Sequence, residues 1–146
     1  MRRTVLIVDD NEHNREYARQ VLEVGFDVRV AIDGAAALAS IAEATPDLVV
    51  LDLSMPHLDG WEVLRRLRAG EAGDLGARLQ VVACTAHAMA GDRERILAHG
   101  FDAYLPKPYR PDELAACVEA FLGGGEAAED DGWGGDGWSL DDEGEP

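Results

Sequence analysis

Short apolar runs alternate with longer amphipathic stretches along most of the chain. The apolar runs have the length of buried strands, whereas apolar residues in the stretches between them recur every three or four positions, as on one face of a helix. Glycines and Asp-Gly pairs separate the two kinds of segment. The predicted strands are 4–8, 27–31, 47–51, 79–84 and 102–105, and the predicted helices are about 11–24, 34–44, 60–69, 88–99 and 111–122.

This alternation of strands and helices is typical of an α/β fold in which a parallel sheet is covered on both faces. Five such units predict a flavodoxin-like, doubly wound (βα)5 three-layer sandwich with strand order 2-1-3-4-5. The domain is expected to span residues 1–122. In sheets of this kind ligands bind outside the carboxyl ends of the strands, so the residues that end each strand are the first candidates for function.

The amino-acid composition changes after Leu122. Residues 123–146 are rich in glycine and contain nine acidic and no basic residues, so this tail is expected to be disordered. Trp133 and Trp138, in two Asp-Gly-Trp repeats, could anchor the tail to a partner, although a solvated tail without a specific role is the favoured interpretation.

Charge and hydropathy argue against two classes of partner. The net charge is −16, and residues 1–122 alone carry 20 acids against 13 bases, so no basic face is expected for a nucleic-acid backbone. The longest apolar runs have five or six residues, far fewer than the ~20 that cross a bilayer. Cys84 and Cys117 lie in apolar patterns without metal-ligand spacing and are expected to be buried. We therefore expect a cytoplasmic protein that binds neither nucleic acid nor membrane.

Four of the five predicted strands end in residues that can do chemistry. Asp9 and Asp10 follow the first strand, Asp52 the third and Thr85 the fourth, and the fifth runs into Lys107, the only lysine beside twelve arginines. The predicted order makes these strands neighbours, so the groups should converge on one rim. Three clustered carboxylates repel one another, and at least one would be protonated unless a cation were present. The first two aspartates could instead only cap the first helix.

A carboxylate-lined and partly hydrated site suits Mg²⁺, which keeps several water ligands and takes one or two carboxylates. A cation also makes phosphoryl transfer feasible, because it shields an attacking carboxylate from an anionic donor. An aspartate that attacks phosphorus would become an aspartyl phosphate. The Lys107 ammonium is a compact charge on a long stem, which suits a phosphoryl oxygen beside a metal better than a guanidinium fork. The isomer of the Lys107–Pro108 bond stays open at this point, since X-Pro bonds are cis in only about 5–6% of folded cases.

These residues and their spacing resemble the receiver domain of two-component response regulators. The similarity covers about residues 3–122 and is carried by "VLIVDDN", "DLVVLDLSMPHLDGWEVLRRLR" and "VVACTAHAMAGDRERILAHGFDAYLPKP", in the order that the family has them. The resemblance implies that Asp52 is the phosphoacceptor. It also implies that Asp10, Asp52 and the main-chain carbonyl of Ser54 bind Mg²⁺, with Asp9 acting mainly through water.

The resemblance further implies how phosphorylation is sensed. Thr85 and Lys107 would bind the phosphoryl oxygens, and the Lys107–Pro108 peptide bond would be cis. Tyr104 would turn inward as the Thr85 hydroxyl moves, which would alter the surface formed by the fourth helix, fifth strand and fifth helix. Tyr104 could instead only pack in its strand.

Two more features concern the lifetime of the phosphoryl group and the protein that donates it. Ser54 lies two residues after the acceptor and His87 two residues after Thr85, so both could tune the lifetime of the phosphoryl group. His87 could equally be a solvent-facing residue at a helix start. The stretch "TAHAMAGDRER" resembles receivers of phosphorelays and single-domain regulators, which implies a sensor histidine kinase or a histidine phosphotransfer protein as donor and a protein as downstream target.

The sequence therefore predicts a stand-alone receiver, monomeric or weakly dimeric, that acts as a phosphorylation-controlled binding module rather than as an enzyme. One alternative is a receiver-like scaffold that binds partners without phosphorylation, but it would have no need to keep Asp10, Asp52, Thr85 and Lys107 together. Another is a Mg²⁺-dependent phosphohydrolase. That enzyme would need a cap region and usually an acid two residues after the nucleophile, where this chain has Ser54.

Overall fold

The computed structural model describes residues 2–86 and 91–123, which form a five-stranded parallel sheet with helices on both faces. The strands are β1 (Thr4–Val8), β2 (Asp27–Ala31), β3 (Leu48–Asp52), β4 (Val81–Thr85) and β5 (Ala103–Pro106). The helices are α1 (Glu12–Leu22), α2 (Gly34–Glu43), α3 (Gly60–Arg68), α4 (Asp74–Ala77), α5 (Asp92–Ala98) and α6 (Pro111–Leu122).

The strand order is β2-β1-β3-β4-β5 and each neighbouring pair is parallel, which confirms the predicted doubly wound topology. Alternate residues of a strand point to opposite faces, and each face is covered by its own apolar cluster. One cluster joins the sheet to α2, α3 and α5, and the other joins it to α1 and α6. Cys84 and Cys117 are free thiols buried in the second cluster, as expected.

The boundaries of some elements differ from the predicted ones. Asp52 and Thr85 are the last residues of β3 and β4 rather than the residues that follow these strands. β4 begins at Val81 and not at residue 79: the N–H of Leu79 donates to the carbonyl of Gly76 at 3.2 Å, and the carbonyl of Leu79 accepts from the Arg68 guanidinium at 2.6 Å.

A short helix that the sequence pattern does not predict, α4, lies in the connection between α3 and β4. Four residues are too few to show helical periodicity. The predicted fourth and fifth helices therefore correspond to α5 and α6, and α5 begins at Asp92. Within residues 2–86 and 91–123, no helix has the length and hydropathy to cross a membrane.

Local geometry fixes the start of the helices that border the carboxyl edge of the sheet. Asn11 caps α1 and Asp59 caps α3, and each side chain accepts a hydrogen bond from the main-chain N–H three residues later, at 3.0 Å. Gly60 begins α3 so close to β3 that a Cβ there would lie 2.6 Å from the carbonyl oxygen of Asp52. As a result, α3 starts directly against the strand end that carries Asp52.

Candidate functional site

The three predicted aspartates meet at the carboxyl edge of the sheet. One carboxylate oxygen from each of Asp9, Asp10 and Asp52 lies within 4.8 Å of the others. Asp9 and Asp52 are buried, and Asp10 is exposed. The adjacency of β1 and β3 brings Asp52 to Asp9 and Asp10, which are neighbours in the sequence but distant from Asp52 along the chain.

Lys107 joins this group from the end of β5. Its Nζ lies 2.8 Å from Oδ2 of Asp9 and 3.5 Å from Oδ1 of Asp52, and its side chain is only 15% exposed. The main-chain N–H of Lys107 donates to the carbonyl of Thr85 at 2.9 Å, and the Lys107–Pro108 peptide bond is cis. The lysine is therefore paired with two buried acids instead of extending into solvent.

Residues at the start of α1 hold Asp9 in place. Its carboxylate accepts hydrogen bonds from the main-chain N–H of Asn11 at 2.9 Å and from Nδ2 of Asn14 at 3.4 Å. The guanidinium of Arg15 donates to the main-chain carbonyl of Asp9 at 2.9 Å. The cap of α1 is Asn11, so neither preceding aspartate serves as the N-cap. Sequence reasoning missed Asn14 and Arg15; the available signal was their position in the first turns of the helix that follows the two aspartates.

The electrostatics of the site follow from burial and from these contacts. Burial raises the pKa of Asp52 above its ordinary value, and the charges of Asp9 and Asp10 act in the same direction. The Lys107 charge and a hydrogen bond from the main-chain N–H of Ser54, at 3.1 Å, offset only part of this effect. Burial alone would lower the pKa of Lys107, but its hydrogen bond to Asp9 and the two carboxylate charges leave that pKa raised.

The donor set of the aspartate cluster fits Mg²⁺. It consists of carboxylate oxygens, which are hard ligands, and it is buried on one side and exposed at Asp10 on the other. Mg²⁺ prefers such oxygen ligands and retains several waters, which an open edge of the cluster allows.

Thr85 and Tyr104 lie on the same face of neighbouring strands, because β4 and β5 pair Ala83 with Tyr104. Thr85 is buried, and the ring of Tyr104 packs against the apolar cluster of α2, α3 and α5. The Tyr104 hydroxyl is buried and has no hydrogen-bond partner within residues 2–86 and 91–123. Burial, followed by the Asp92 charge, raises the pKa of Tyr104. His87 lies outside the described residues.

A cavity of about 520 Å³ opens beside Lys107 on the side of α1. The Tyr17 hydroxyl donates to the carbonyl of Tyr109 at 2.9 Å, and their ring centroids are 5.8 Å apart. Through this cavity, solvent and larger groups can approach the lysine. The cavity is lined by Asn14, Tyr17, Ala86, Lys107, Pro108 and Tyr109.

Comparison with known proteins identifies the family. The sequence model of the response regulator receiver domain matches residues 5–119. The response regulator MprA of Mycobacterium sp. strain KMS is 43% identical over 119 residues, which are 81% of this chain. The chain spans about half (50%) of the length of this relative.

Solved structures give the same result. The chemotaxis protein CheY4 of Vibrio cholerae has a TM-score of 0.75 and 26% identity, and the match covers 84% of this chain and 100% of CheY4. The receiver domain of the sensor histidine kinase PA1611 from Pseudomonas aeruginosa has a TM-score of 0.73 and 33% identity, over 83% of this chain and 98% of that domain. The PA1611 structure contains a magnesium ion coordinated in the active site cleft.

Proposed function

Because this chain belongs to the response regulator receiver family, we propose that it is a phosphorylation-controlled binding module in which Asp52 accepts the phosphoryl group. The observation that carries this proposal is the convergence of three carboxylates with one largely buried ammonium at the carboxyl edge of the sheet. Such a site can bind a divalent cation and a phosphoryl group side by side, and the sheet holds its buried acids in fixed positions.

Asp10, Asp52 and the main-chain carbonyl of Ser54 would hold Mg²⁺, as the oxygen-only cluster and the magnesium in the related PA1611 domain support. The ion would supply positive charge beside the phosphoryl oxygens during transfer. Asp52 would then be ionised in spite of its burial, because a neighbouring cation favours the carboxylate. Asp9 already binds Lys107 and two N–H groups, which supports a contribution mainly through water.

In the proposed transfer, a carboxylate oxygen of Asp52 attacks the phosphorus of a phosphohistidine donor and forms a new P–O bond. The P–N bond breaks, and the imidazole nitrogen leaves with its electron pair. Lys107, whose Nζ is 3.5 Å from Oδ1 of Asp52, and the Thr85 hydroxyl would contact the phosphoryl oxygens. The cavity beside Lys107 provides space for a planar ring next to Tyr17 and Tyr109.

The proposed output is a change in the surface of α5, β5 and α6. Movement of the Thr85 hydroxyl toward the phosphoryl group would allow Tyr104, on the same face of the next strand, to turn inward. Ser54, whose N–H binds the acceptor, and His87 are the proposed determinants of the lifetime of the aspartyl phosphate.

We propose a sensor histidine kinase or a histidine phosphotransfer protein as the donor and a protein as the target. The related MprA proteins are about twice as long as the matched region. The predictions of a stand-alone, monomeric or weakly dimeric regulator without a nucleic-acid partner therefore stay predictions.

The test is the intact mass of the protein after incubation with acetyl phosphate or phosphoramidate, with Mg²⁺ or with a chelator. We expect one added phosphoryl group that requires both Mg²⁺ and Asp52, so Asp52→Asn should remain unmodified. Glu43→Gln, which changes an exposed acid away from the site, is the matched control and should behave as wild type.

Absence of an adduct from wild type under rapid quenching has two interpretations, which the release of phosphate from the donor separates. Release that depends on Asp52 would show rapid turnover and support the proposal. No adduct and no release would contradict it and favour a scaffold that binds partners without phosphorylation.

A further inference from the structure

Asp10 differs from the other two aspartates of the cluster in how its carboxylate is held. The carboxylate of Asp9 is bound by Lys107 at 2.8 Å and by the main-chain N–H of Asn11 at 2.9 Å. Asp52 is buried and lies 3.5 Å from the same ammonium. The exposed carboxylate of Asp10, by contrast, forms no hydrogen bond and no ion pair with the residues that the structure describes. Its position beside the other two therefore depends on the main chain that carries it.

The main chain that leads into Asp10 is anchored by Arg15. The ladders that join β1 to its two neighbours end at Val8, so the carbonyl of Asp9 has no partner in a neighbouring strand. The Arg15 guanidinium donates to this carbonyl at 2.9 Å, and no other donor in the described part of the chain does so. Because the carbonyl of Asp9 and the N–H of Asp10 belong to one planar peptide unit, the guanidinium fixes the plane from which Asp10 extends.

Arg15 is itself held by its helix. It lies in the first turn of α1, where its main-chain N–H donates to the carbonyl of the N-cap residue Asn11 at 3.1 Å, and its side chain is half-buried. Within the described residues, the ion pairs of the aspartate cluster are those with Lys107, so the guanidinium of Arg15 does not pair with any of the three carboxylates. The contact of Arg15 with the site is therefore one to the main chain.

We propose that Arg15 is a positioning residue for magnesium, which fixes the peptide unit between Asp9 and Asp10 and so holds the Asp10 carboxylate beside Asp52. This inference deepens the proposed function and rests on the magnesium site described there. Mg²⁺ demands near-ideal octahedral geometry, so its affinity is sensitive to the placement of each carboxylate ligand. A ligand that is already in place also binds more tightly than one that must be ordered on binding.

The sign of the effect separates this role from a simple effect of charge. Removal of a positive charge near a cation site would by itself strengthen Mg²⁺ binding. Loss of the anchor should instead weaken it. Where a residue contacts the ligating group directly, its loss lowers metal affinity by roughly 10–100-fold. Arg15 contacts only the main chain of the preceding residue, so we expect a smaller decrease of about three- to tenfold.

The experiment titrates the full chain with MgCl₂ at constant ionic strength and follows the main-chain amide signals of the site by NMR. Arg15→Met keeps an unbranched stem and removes the guanidinium, and it should bind Mg²⁺ about three- to tenfold more weakly than wild type. Arg15→Lys retains a charged donor and should recover part of the affinity. Phosphorylation by acetyl phosphate is a second readout. Arg15→Met should need more Mg²⁺ for its half-maximal rate, but at saturating Mg²⁺ its rate should lie within about twofold of wild type.

The matched control is Arg29→Met. Arg29 is also half-buried, and its guanidinium also donates to a main-chain carbonyl, that of Ser40 at 3.0 Å, but between β2 and α2. Both Met variants should lower the thermal stability slightly, whereas only Arg15→Met should lose Mg²⁺ affinity. Unchanged or tighter Mg²⁺ binding by Arg15→Met, or an equal loss in both variants, would overturn the inference alone. If wild type binds Mg²⁺ but gives neither an adduct nor phosphate release, the proposed function fails, while weaker Mg²⁺ binding by Arg15→Met would still support the positioning role.

Discussion

Lys107 is the side chain whose removal tests the electrostatic account of the site most directly. Its ammonium lies 2.8 Å from Asp9 and 3.5 Å from Asp52, and both acids are only 4% exposed. Substitution Lys107→Met keeps an unbranched apolar stem and leaves two buried carboxylates without their cation. In the absence of Mg²⁺, we expect this variant to be considerably less stable than wild type.

The magnitude follows from burial. Removing one partner of a buried ion pair costs about 3–5 kcal/mol. Here the exposed Asp10 leaves the site open to water, and Lys107 itself is 15% exposed. We therefore expect Lys107→Met to lower the free energy of unfolding by about 2–3 kcal/mol at neutral pH. For a domain of this size, about 4 °C per kcal/mol converts this loss to a fall in Tm of about 8–12 °C.

The pH dependence has a definite sign. The pKa of Asp52 is already raised by burial, and losing Lys107 removes the main influence that lowers it. Between the unfolded and the raised folded pKa, the folded variant binds a proton that the unfolded chain does not, so its stability falls as pH rises through that range. The difference in stability between the variant and wild type should therefore be smaller at pH 5 than at pH 8. At strongly alkaline pH it should shrink again, once wild type loses the contribution of its own Lys107 above that raised pKa.

The assay is thermal unfolding of both proteins at pH 5 and pH 8, each with and without Mg²⁺. Mg²⁺ should raise the Tm of the variant more than that of wild type, because it replaces the lost positive charge. Arg19→Met is the control, since Arg19 forms exposed ion pairs with Glu16 and Glu23 and its loss should lower the Tm far less than the loss of Lys107. If Lys107→Met lost less than about 0.5 kcal/mol of stability, or lost the same amount at both pH values, the ammonium would not compensate the charges of the buried acids.

Three further predictions concern the scaffold around the site. Arg68 donates to three main-chain carbonyls in the connections that lead to β4 and β5, and to the carboxylate of Asp102. Arg68→Met should therefore lower the free energy of unfolding in urea by about 2 kcal/mol. A change within experimental error would refute a role of Arg68 in holding these connections. Gly60→Ala places a Cβ 2.6 Å from the carbonyl of Asp52 and should destabilise the domain by about 1–3 kcal/mol and slow phosphorylation by acetyl phosphate; wild-type rates would show that α3 can shift freely. Burial raises the pKa of Cys84 and Cys117, so both thiols should react with a disulfide reagent only after denaturation, and rapid labelling of the native protein would contradict their burial.

The sequence was sufficient to predict the topology and the residues at the strand ends because both depend on short-range patterns. A short, mainly apolar segment marks each strand in the sequence, and the parallel arrangement then places the last residues of neighbouring strands on one edge. Asp9, Asp10, Asp52 and Lys107 meet at that edge, as expected from this reasoning.

The features that the sequence did not reveal depend on contacts between distant side chains. The contact of Trp61 with Arg95 joins residues 34 positions apart, and the distances of the Lys107 ammonium from Asp9 (2.8 Å) and Asp52 (3.5 Å) are set by side-chain conformation. The predicted start of β4 was wrong at Leu79, whose carbonyl binds the guanidinium of Arg68, 11 residues earlier in the chain. Periodicity contains no information on such pairings.

The geometry also explains why the three aspartates are not equivalent. Asp9 is buried and its carboxylate accepts hydrogen bonds from two N–H groups and from Lys107, so its charge is compensated within the protein. Asp10 is exposed and can be reached by a hydrated ion. Asp52 is as buried as Asp9 but is less fully compensated, because burial raises its pKa and Lys107 and a single N–H offset only part of that effect. The negative charge of Asp52, the carboxylate that we propose as nucleophile, is therefore the least compensated within the protein. A bound cation would stabilise the ionised form of Asp52 more strongly than that of either neighbour.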